Sequence, residues 1–112
     1  MTFLLDTKVL SELRRKRPDS GVVSWIRRTD PATLFISVLS LGEIAKGAAR
    51  CAMRDRVQAA IYEEWLVWVR SNYAEQIIGI DPAIAEAGGR LSAQRPRPVI
   101  DSLLAATALV AA

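Results

Sequence analysis

The stretch from Thr2 to Thr7, TFLLDT, is a short apolar run that ends on a carboxylate and a hydroxyl. An apolar run of about four residues followed by a helical pattern predicts a buried strand of a parallel sheet. Ligands in open α/β sheets bind beyond the carboxyl ends of such strands, where Asp6 is then expected. Aspartate is also a common N-cap, and Asp6 directly precedes the helical spacing of Leu10 and Leu13. A site role and a capping role for Asp6 both remain open.

Length and composition predict one domain, residues 1–112, with a sizeable core. The chain has 112 residues, of which 51% are hydrophobic. Its 15 Lys and Arg against 12 Asp and Glu give a net charge of +3, which favours a polyanionic partner without proving one. One cysteine excludes an internal disulfide, and the absence of histidine removes the commonest general base. Catalysis would have to use carboxylates, hydroxyls or lysine.

The pattern of apolar residues gives no sign of a membrane protein. No apolar run reaches the roughly 20 residues of a membrane span. The N-terminus lacks the basic-then-apolar order of a signal peptide. We therefore expect a cytoplasmic protein.

Two further apolar runs of strand length, Leu34–Ser37 and Ile77–Ile80, each precede a helical pattern. The β-then-α alternation predicts an α/β fold with a parallel sheet. Three of the helices have predicted starts, namely Asp19 or Ser20, about Met53, and Asp81 with Pro82. The helix from about Met53 extends to Ser71, and its predicted inward face comprises Val57, Ile61, Trp65, Trp68 and Val69.

Two more carboxylates are candidates for a site. Glu43 falls in the first two turns of the helix after the second strand, near the sheet edge expected for Asp6, although Ser40–Glu43 (SLGE) also matches a capping box. Asp101 is the only charge in the apolar helix Val99–Leu109. Buried carboxylates are rare unless they are paired or bind metal, so Asp101 is predicted to be functional. For Glu43 the structural and functional interpretations remain open.

The basic and aromatic clusters are less informative. The run Arg14–Arg17 suits either a solvated surface or a patch that contacts phosphate. Trp65 and Trp68 suit core or subunit contacts better than base stacking. No helix-turn-helix spacing or basic recognition helix indicates a DNA-binding regulator.

Three motifs together resemble the PIN-domain ribonucleases: FLLDT at Phe3–Thr7, FISVLSLGEI at Phe35–Ile44 and IDSLLAATA at Ile100–Ala108. More narrowly, they are similar to the VapC toxins of bacterial toxin–antitoxin pairs, including the FitB-like branch. The resemblance implies a three-layer α/β/α fold and an endoribonuclease that depends on Mg²⁺ or Mn²⁺. It also implies a homodimer, an RNA substrate and a small VapB-type antitoxin.

The resemblance also implies roles for individual residues. Asp6 and Asp101 would be metal ligands, and Glu43 a ligand or the group that orients the water. Thr7 and Ser37 would give supporting hydrogen bonds or touch phosphate. Lys8 stands where the family usually has Asn, and would lower cation affinity or contact the RNA phosphate.

Members of this family continue past the helix of Asp101 into a fourth and a fifth strand. We therefore expect a C-terminally truncated PIN fold that lacks its last strands, including the one beside the first strand. Such a form should be marginally stable, should tend to associate and should cut RNA weakly or not at all. The alternative function is that of a catalytically impaired PIN fragment that dimerises or binds antitoxin.

Overall fold

The structure, a computed structural model, describes residues 1–111 and consists of a small parallel sheet with helices on both faces. The three strands are β1 (Phe3–Leu4), β2 (Leu34–Ser37) and β3 (Ile77–Ile78). The six α-helices are α1 (Thr7–Leu13), α2 (Ser20–Arg28), α3 (Val38–Ala52), α4 (Arg56–Asn72), α5 (Pro82–Gln94) and α6 (Val99–Ala111). A short 3₁₀ helix, Pro31–Thr33, precedes β2. The predicted α/β fold with a parallel sheet is confirmed.

The sheet order is β1-β2-β3, with both pairings parallel. Phe3 pairs with Leu34 on one side of β2, and Ile36 pairs with Ile77 on the other. Parallel neighbours need helical crossovers, which α1–α2 and α3–α4 provide. Within the described residues β1 is therefore an edge strand, with one side unpaired.

Successive side chains of β2 point alternately towards the helices on the two faces of the sheet. Leu34 and Ile36 are buried in a core with Leu10 of α1 and Trp65 of α4. Phe35 points to the other face, where it lines a cavity of about 290 Å³ together with residues of β1 and α6. Since successive side chains of a strand point to opposite faces, the sheet lies between two layers of helices, as predicted.

Glycines allow close packing within two helix pairs. A Cβ added at Gly47 of α3 would lie 3.1 Å from Tyr62 Cε1 of α4. At Gly88 of α5 the added atom would lie 3.0 Å from Leu103 Cδ2 of α6. These distances are shorter than ordinary van der Waals contact, so each glycine permits an approach that a side chain would obstruct.

Arg14 connects the end of α1 to α4. Its guanidinium carbon lies 4.8 Å from the centroid of the Tyr62 ring and 4.5 Å from that of Trp65. A cation over two aromatic faces contributes about 0.5–2 kcal/mol, depending on desolvation. Arg14 therefore has a structural role, and its neighbour Arg15 forms a salt bridge with Glu12 at 3.1 Å.

Local signals placed several helix starts correctly. Asp19 caps α2, and Asp81 caps α5 with Pro82 in the first turn. The predicted start of the long helix at Met53 is wrong, because α3 continues to Ala52 and Asp55 caps α4.

The predicted inward face of α4 is only partly correct. Trp65 and Val69 are buried, but Val57 is 74% exposed, Ile61 42% and Trp68 49%. The predicted third strand is also shorter than expected, ending at Ile78.

Candidate active site

The carboxyl ends of β1 and β2 place the starts of α1 and α3 at the same edge of the sheet. Leu5 N donates to Phe35 O at 2.8 Å, which continues the β1–β2 pairing up to the residue before Asp6. Ser37, the last residue of β2, then caps α3. Because the two strands are parallel neighbours, the helices that follow them begin side by side.

Asp6 caps α1 and also presents an exposed carboxylate. Its Oδ1 accepts a hydrogen bond from Lys8 N at a long 3.4 Å, and its backbone is extended. Within residues 1–111 no other hydrogen bond or salt bridge reaches this carboxylate. The cap is thus a single long hydrogen bond to one carboxylate oxygen. A capping role and a role in a functional site are therefore compatible for Asp6.

Thr7 links the start of α1 to α3. Its Oγ1 lies 3.0 Å from Ser40 Oγ and 3.0 Å from Glu43 Oε1. A hydroxyl carries one proton and a carboxylate only accepts, so Thr7 donates to Glu43 and the Ser40 proton completes the second contact. Ser40 is buried and Glu43 is exposed. The hydroxyl pair therefore fixes an exposed carboxylate to the protein interior.

The capping-box interpretation of Ser40–Glu43 is wrong. Helix α3 begins at Val38 and its N-cap is Ser37, three residues before Ser40; the Oγ of Ser37 accepts from Leu39 N at 3.0 Å. Glu43 is consequently free to meet Thr7 instead of a cap amide. Ser37 is fully buried, which gives it a supporting position and no access to a phosphate.

Ser40 is the residue of this cluster that sequence analysis did not identify. It precedes the buried residues Ile44 and Ala48 at four-residue spacing along α3. That spacing puts Ser40 on the inward row of the helix and could have indicated its position.

Asp101 lies in the first turn of α6 and is exposed. The premise that this carboxylate is buried in an apolar helix is therefore wrong, because the buried face of α6 contains Ser102, Ala106 and Thr107 and Asp101 lies outside it. Its neighbour Ile100 lines a groove of about 540 Å³ along α3, the α3 groove, which Glu43 lines as well. The start of α6 thus approaches α3, although no hydrogen bond in the described residues joins Asp101 to Asp6 or Glu43.

The donors at this edge match a hard cation in type. Carboxylates and hydroxyls are oxygen ligands, and Mg²⁺ keeps several waters, so one or two carboxylates suffice. Asp6 and Glu43 are exposed and Thr7 bridges their helices. Among residues 1–111 no three aspartate, glutamate or cysteine side chains are grouped to hold a metal ion. A site shared by Asp6, Glu43 and Asp101 therefore stays a prediction.

Comparison with known families gives one match over nearly the whole chain. The profile of the PIN domain family matches residues 3–112. The chain is 28% identical over 92 residues to the plasmid stability protein StbB of Pseudomonas syringae pv. tomato, covering 82% of this chain and 66% of that protein. The chain thus spans slightly less than two thirds of the length of this relative.

Two further relatives match over shorter segments. VapC ribonuclease Y4jK of Sinorhizobium fredii is 38% identical over 47 residues, which are 42% of this chain and 34% of that protein. Ribonuclease VapC14 of Mycobacterium tuberculosis is 31% identical over 65 residues, which are 58% of this chain and 63% of that protein.

Among solved structures, FitAcB from Neisseria gonorrhoeae superposes with a TM-score of 0.78. The superposition covers 95% of this chain and 79% of that one at 24% identity. FitAB bound to a DNA fragment gives a TM-score of 0.77 at 23% identity, covering 95% and 77%. At these identities the likeness concerns the fold.

Proposed function

Because the chain belongs to the PIN-domain family, we propose that it is a metal-dependent endoribonuclease, the toxin of a toxin–antitoxin pair. It would hydrolyse RNA phosphodiester bonds in the cytoplasm with the help of Mg²⁺ or Mn²⁺. Similarity to two VapC ribonucleases supports the reaction class.

The observation that carries this proposal is the contact between Thr7 and Glu43. It fixes the acid of α3 beside the helix that Asp6 opens, at the carboxyl edge of the sheet. Two exposed carboxylates of like charge at the starts of neighbouring helices favour a cation that neutralises them. A purely structural role would not require Glu43 to be exposed.

In this proposal Asp6 and Asp101 hold the cation, and Glu43 either joins them or orients the attacking water. The cation would stabilise negative charge on the phosphate oxygens and acidify a water molecule for attack on phosphorus. Thr7 keeps the Glu43 carboxylate in place through its hydrogen bond. Lys8, exposed next to Asp6, would contact a phosphate of the RNA.

The proposed partners are an RNA substrate, a small VapB-like antitoxin and a second copy of the chain. The homodimer is supported by apolar side chains on α4 that lie at the surface, above all Val57 and Trp68. In the described part of the chain no helix is long and apolar enough to cross a bilayer.

The test is cleavage of labelled single-stranded RNA by the purified chain, with added Mg²⁺ or Mn²⁺ and with chelator. We expect weak cleavage that requires the metal and is lost in Glu43→Gln, whose amide oxygen can still accept from Thr7. A matched control is Glu63→Gln on α4, which is exposed and distant in sequence from the site. Cleavage that persists in chelator would contradict the metal mechanism.

A second candidate is a catalytically impaired PIN protein that dimerises or binds antitoxin without cutting RNA. The groove beside Glu43 favours it, because that groove is lined at the start of α6 by the apolar Ile100. A metal titration separates the two candidates. The impaired protein should show neither metal-dependent stabilisation nor cleavage, whereas the nuclease should show both.

A further inference from the structure

The α3 groove has an acidic end and a basic end. Along α3, Glu43 lies at the first end and Lys46 and Arg50 line the second, while Ile100 of α6 also lines the groove. Lys46 and Arg50 are four residues apart on α3, so they share one face about 6 Å apart along the axis. A neighbouring cleft lined by Arg50 and Arg54 continues in the same direction past the end of the helix.

These three cations have no acidic partner in the described residues. The single salt bridge there joins Arg15 to Glu12, and no side-chain hydrogen bond involves Lys46, Arg50 or Arg54. All three side chains are exposed. Lys46 follows Glu43 at three-residue spacing and Arg50 lies in the last turn of α3, so both cations also suit the helix. Their position along one groove with Glu43 is what makes them candidates for binding phosphate.

The rest of the groove wall suits a nucleic acid strand. Val38 and Ile100 contribute exposed apolar surface, and a Cβ added at Gly42 would meet nothing within 4 Å. The residues that line the groove include no aromatic ring. Binding there should thus depend on phosphate charge and little on base stacking.

We infer that Lys46, Arg50 and Arg54 form a track that binds the phosphate backbone of single-stranded RNA and leads it to Glu43. This inference rests on the proposed function, since it assigns the path of the substrate into that site. The basic run after α1 is a weaker candidate because Arg14 is stacked on Tyr62 and Trp65 and Arg15 is paired with Glu12.

The test is binding of a fluorescein-labelled single-stranded RNA 12-mer. Binding is measured by fluorescence anisotropy, with chelator present so that no cleavage occurs. The variant is Lys46→Gln/Arg50→Gln, because Gln has a helix propensity close to that of Lys and Arg. Each phosphate contact on a single strand contributes about −0.7 to the slope of log affinity against log salt. Losing two contacts should reduce the slope by about 1.4. From 50 to 200 mM salt, wild type should then lose about sevenfold more affinity than the variant.

Two matched charge variants serve as comparison. Arg27→Gln/Arg28→Gln removes two exposed charges from α2 and should leave the salt slope unchanged. Lys16→Gln/Arg17→Gln removes the two exposed charges of the run after α1. If that variant shows the larger loss of slope, RNA binds there and the inference is overturned. Melting curves identify any variant that fails to fold.

Separate readouts distinguish this inference from the proposed function. Wild type that binds RNA through the track but does not cut it with Mg²⁺ or Mn²⁺ would contradict the function and support the track. A Lys46→Gln/Arg50→Gln protein that binds and cuts as wild type does would overturn the track alone. Unchanged RNA affinity together with weaker binding of a labelled glutamate-rich peptide would assign the groove to an acidic protein segment, which also overturns the inference.

Discussion

Replacing Asp6 can separate its capping role from a role in catalysis. Asp6→Asn keeps an oxygen that can accept from Lys8 N, whereas Asp6→Ala removes it. Asn and Asp are nearly equal as N-caps, while Ala costs about 0.5–2 kcal/mol. The cap hydrogen bond is long, at 3.4 Å, which places the cost near the low end.

From these values we expect Asp6→Asn to change the free energy of unfolding by less than about 0.5 kcal/mol. Asp6→Ala should lower it by about 0.5–1 kcal/mol. Both variants lose the carboxylate, so both should lose RNA cleavage to a similar degree. Changing groups that only orient metal ligands costs about 10–100-fold, so loss of a direct ligand should exceed about 100-fold.

Urea unfolding followed by fluorescence of the three tryptophans gives the stability, and metal-dependent cleavage of a labelled RNA gives the activity. The two measurements should disagree for Asp6→Asn, which we expect to keep its stability and to lose RNA cleavage. Activity that is kept in Asp6→Asn and falls in Asp6→Ala only as far as stability does would show that Asp6 is a helix cap and nothing more.

Three further changes have defined outcomes. Gly42→Ala and Gly89→Ala each add a methyl group in open space within a helix, so each should raise the free energy of unfolding by about 0.5–1 kcal/mol in urea titrations. Gly42 lines the α3 groove and Gly89 does not, so equal RNA affinity of the two variants would contradict a role for the groove. Burial raises the pKa of the Tyr73 phenol above its usual 10.0. The stability that the buried neutral phenol contributes is therefore present below pH 10 and is lost as the pH rises through the pKa of Tyr73 in the folded protein. Tyr73→Phe should therefore flatten the alkaline loss of stability, and an unchanged alkaline limb would refute this cause. Val57→Asp should lower the dimer fraction measured by light scattering with little change in melting, because Val57 is 74% exposed; an unchanged mass would exclude this face of α4 as the interface.

The fold could be predicted from the sequence where a signal is local. Leu34–Ser37 is a strand of the predicted length, and Asp81 with Pro82 opens α5 as its sequence indicates. The boundary between α3 and α4 was harder, because the residues around Met53 are compatible with a continuous helix. The break occurs where Arg54 N and Asp55 N both bond to Cys51 O, a closed turn without a proline or glycine signal.

The site was less predictable because it depends on contacts between distant segments. Ser37 and Ser40 are equally good N-caps in sequence, and only the end of β2 selects the first. That choice turns Glu43 towards Thr7, a contact 36 residues apart in the chain. Asp101 was expected to be buried because its helix is apolar, but it lies outside the buried face of α6, to which Ser102 and Ala106 belong. Burial at a helix end depends on packing, which composition does not report.

The stacking of Arg14 on Tyr62 and Trp65 has a consequence for the order of folding. Helix α1 has only seven residues, too few to persist in water before other parts of the chain have packed against it. Its contacts with the rest of the fold include Leu10 in the core, the Arg14 stack on α4 and the Thr7 contact with α3. The α3–α4 hairpin is formed by neighbouring segments and can fold early. Thr7 would then reach Glu43 only in the last stage of folding, so a newly made chain would form most of its helix before the start of α1 joins α3.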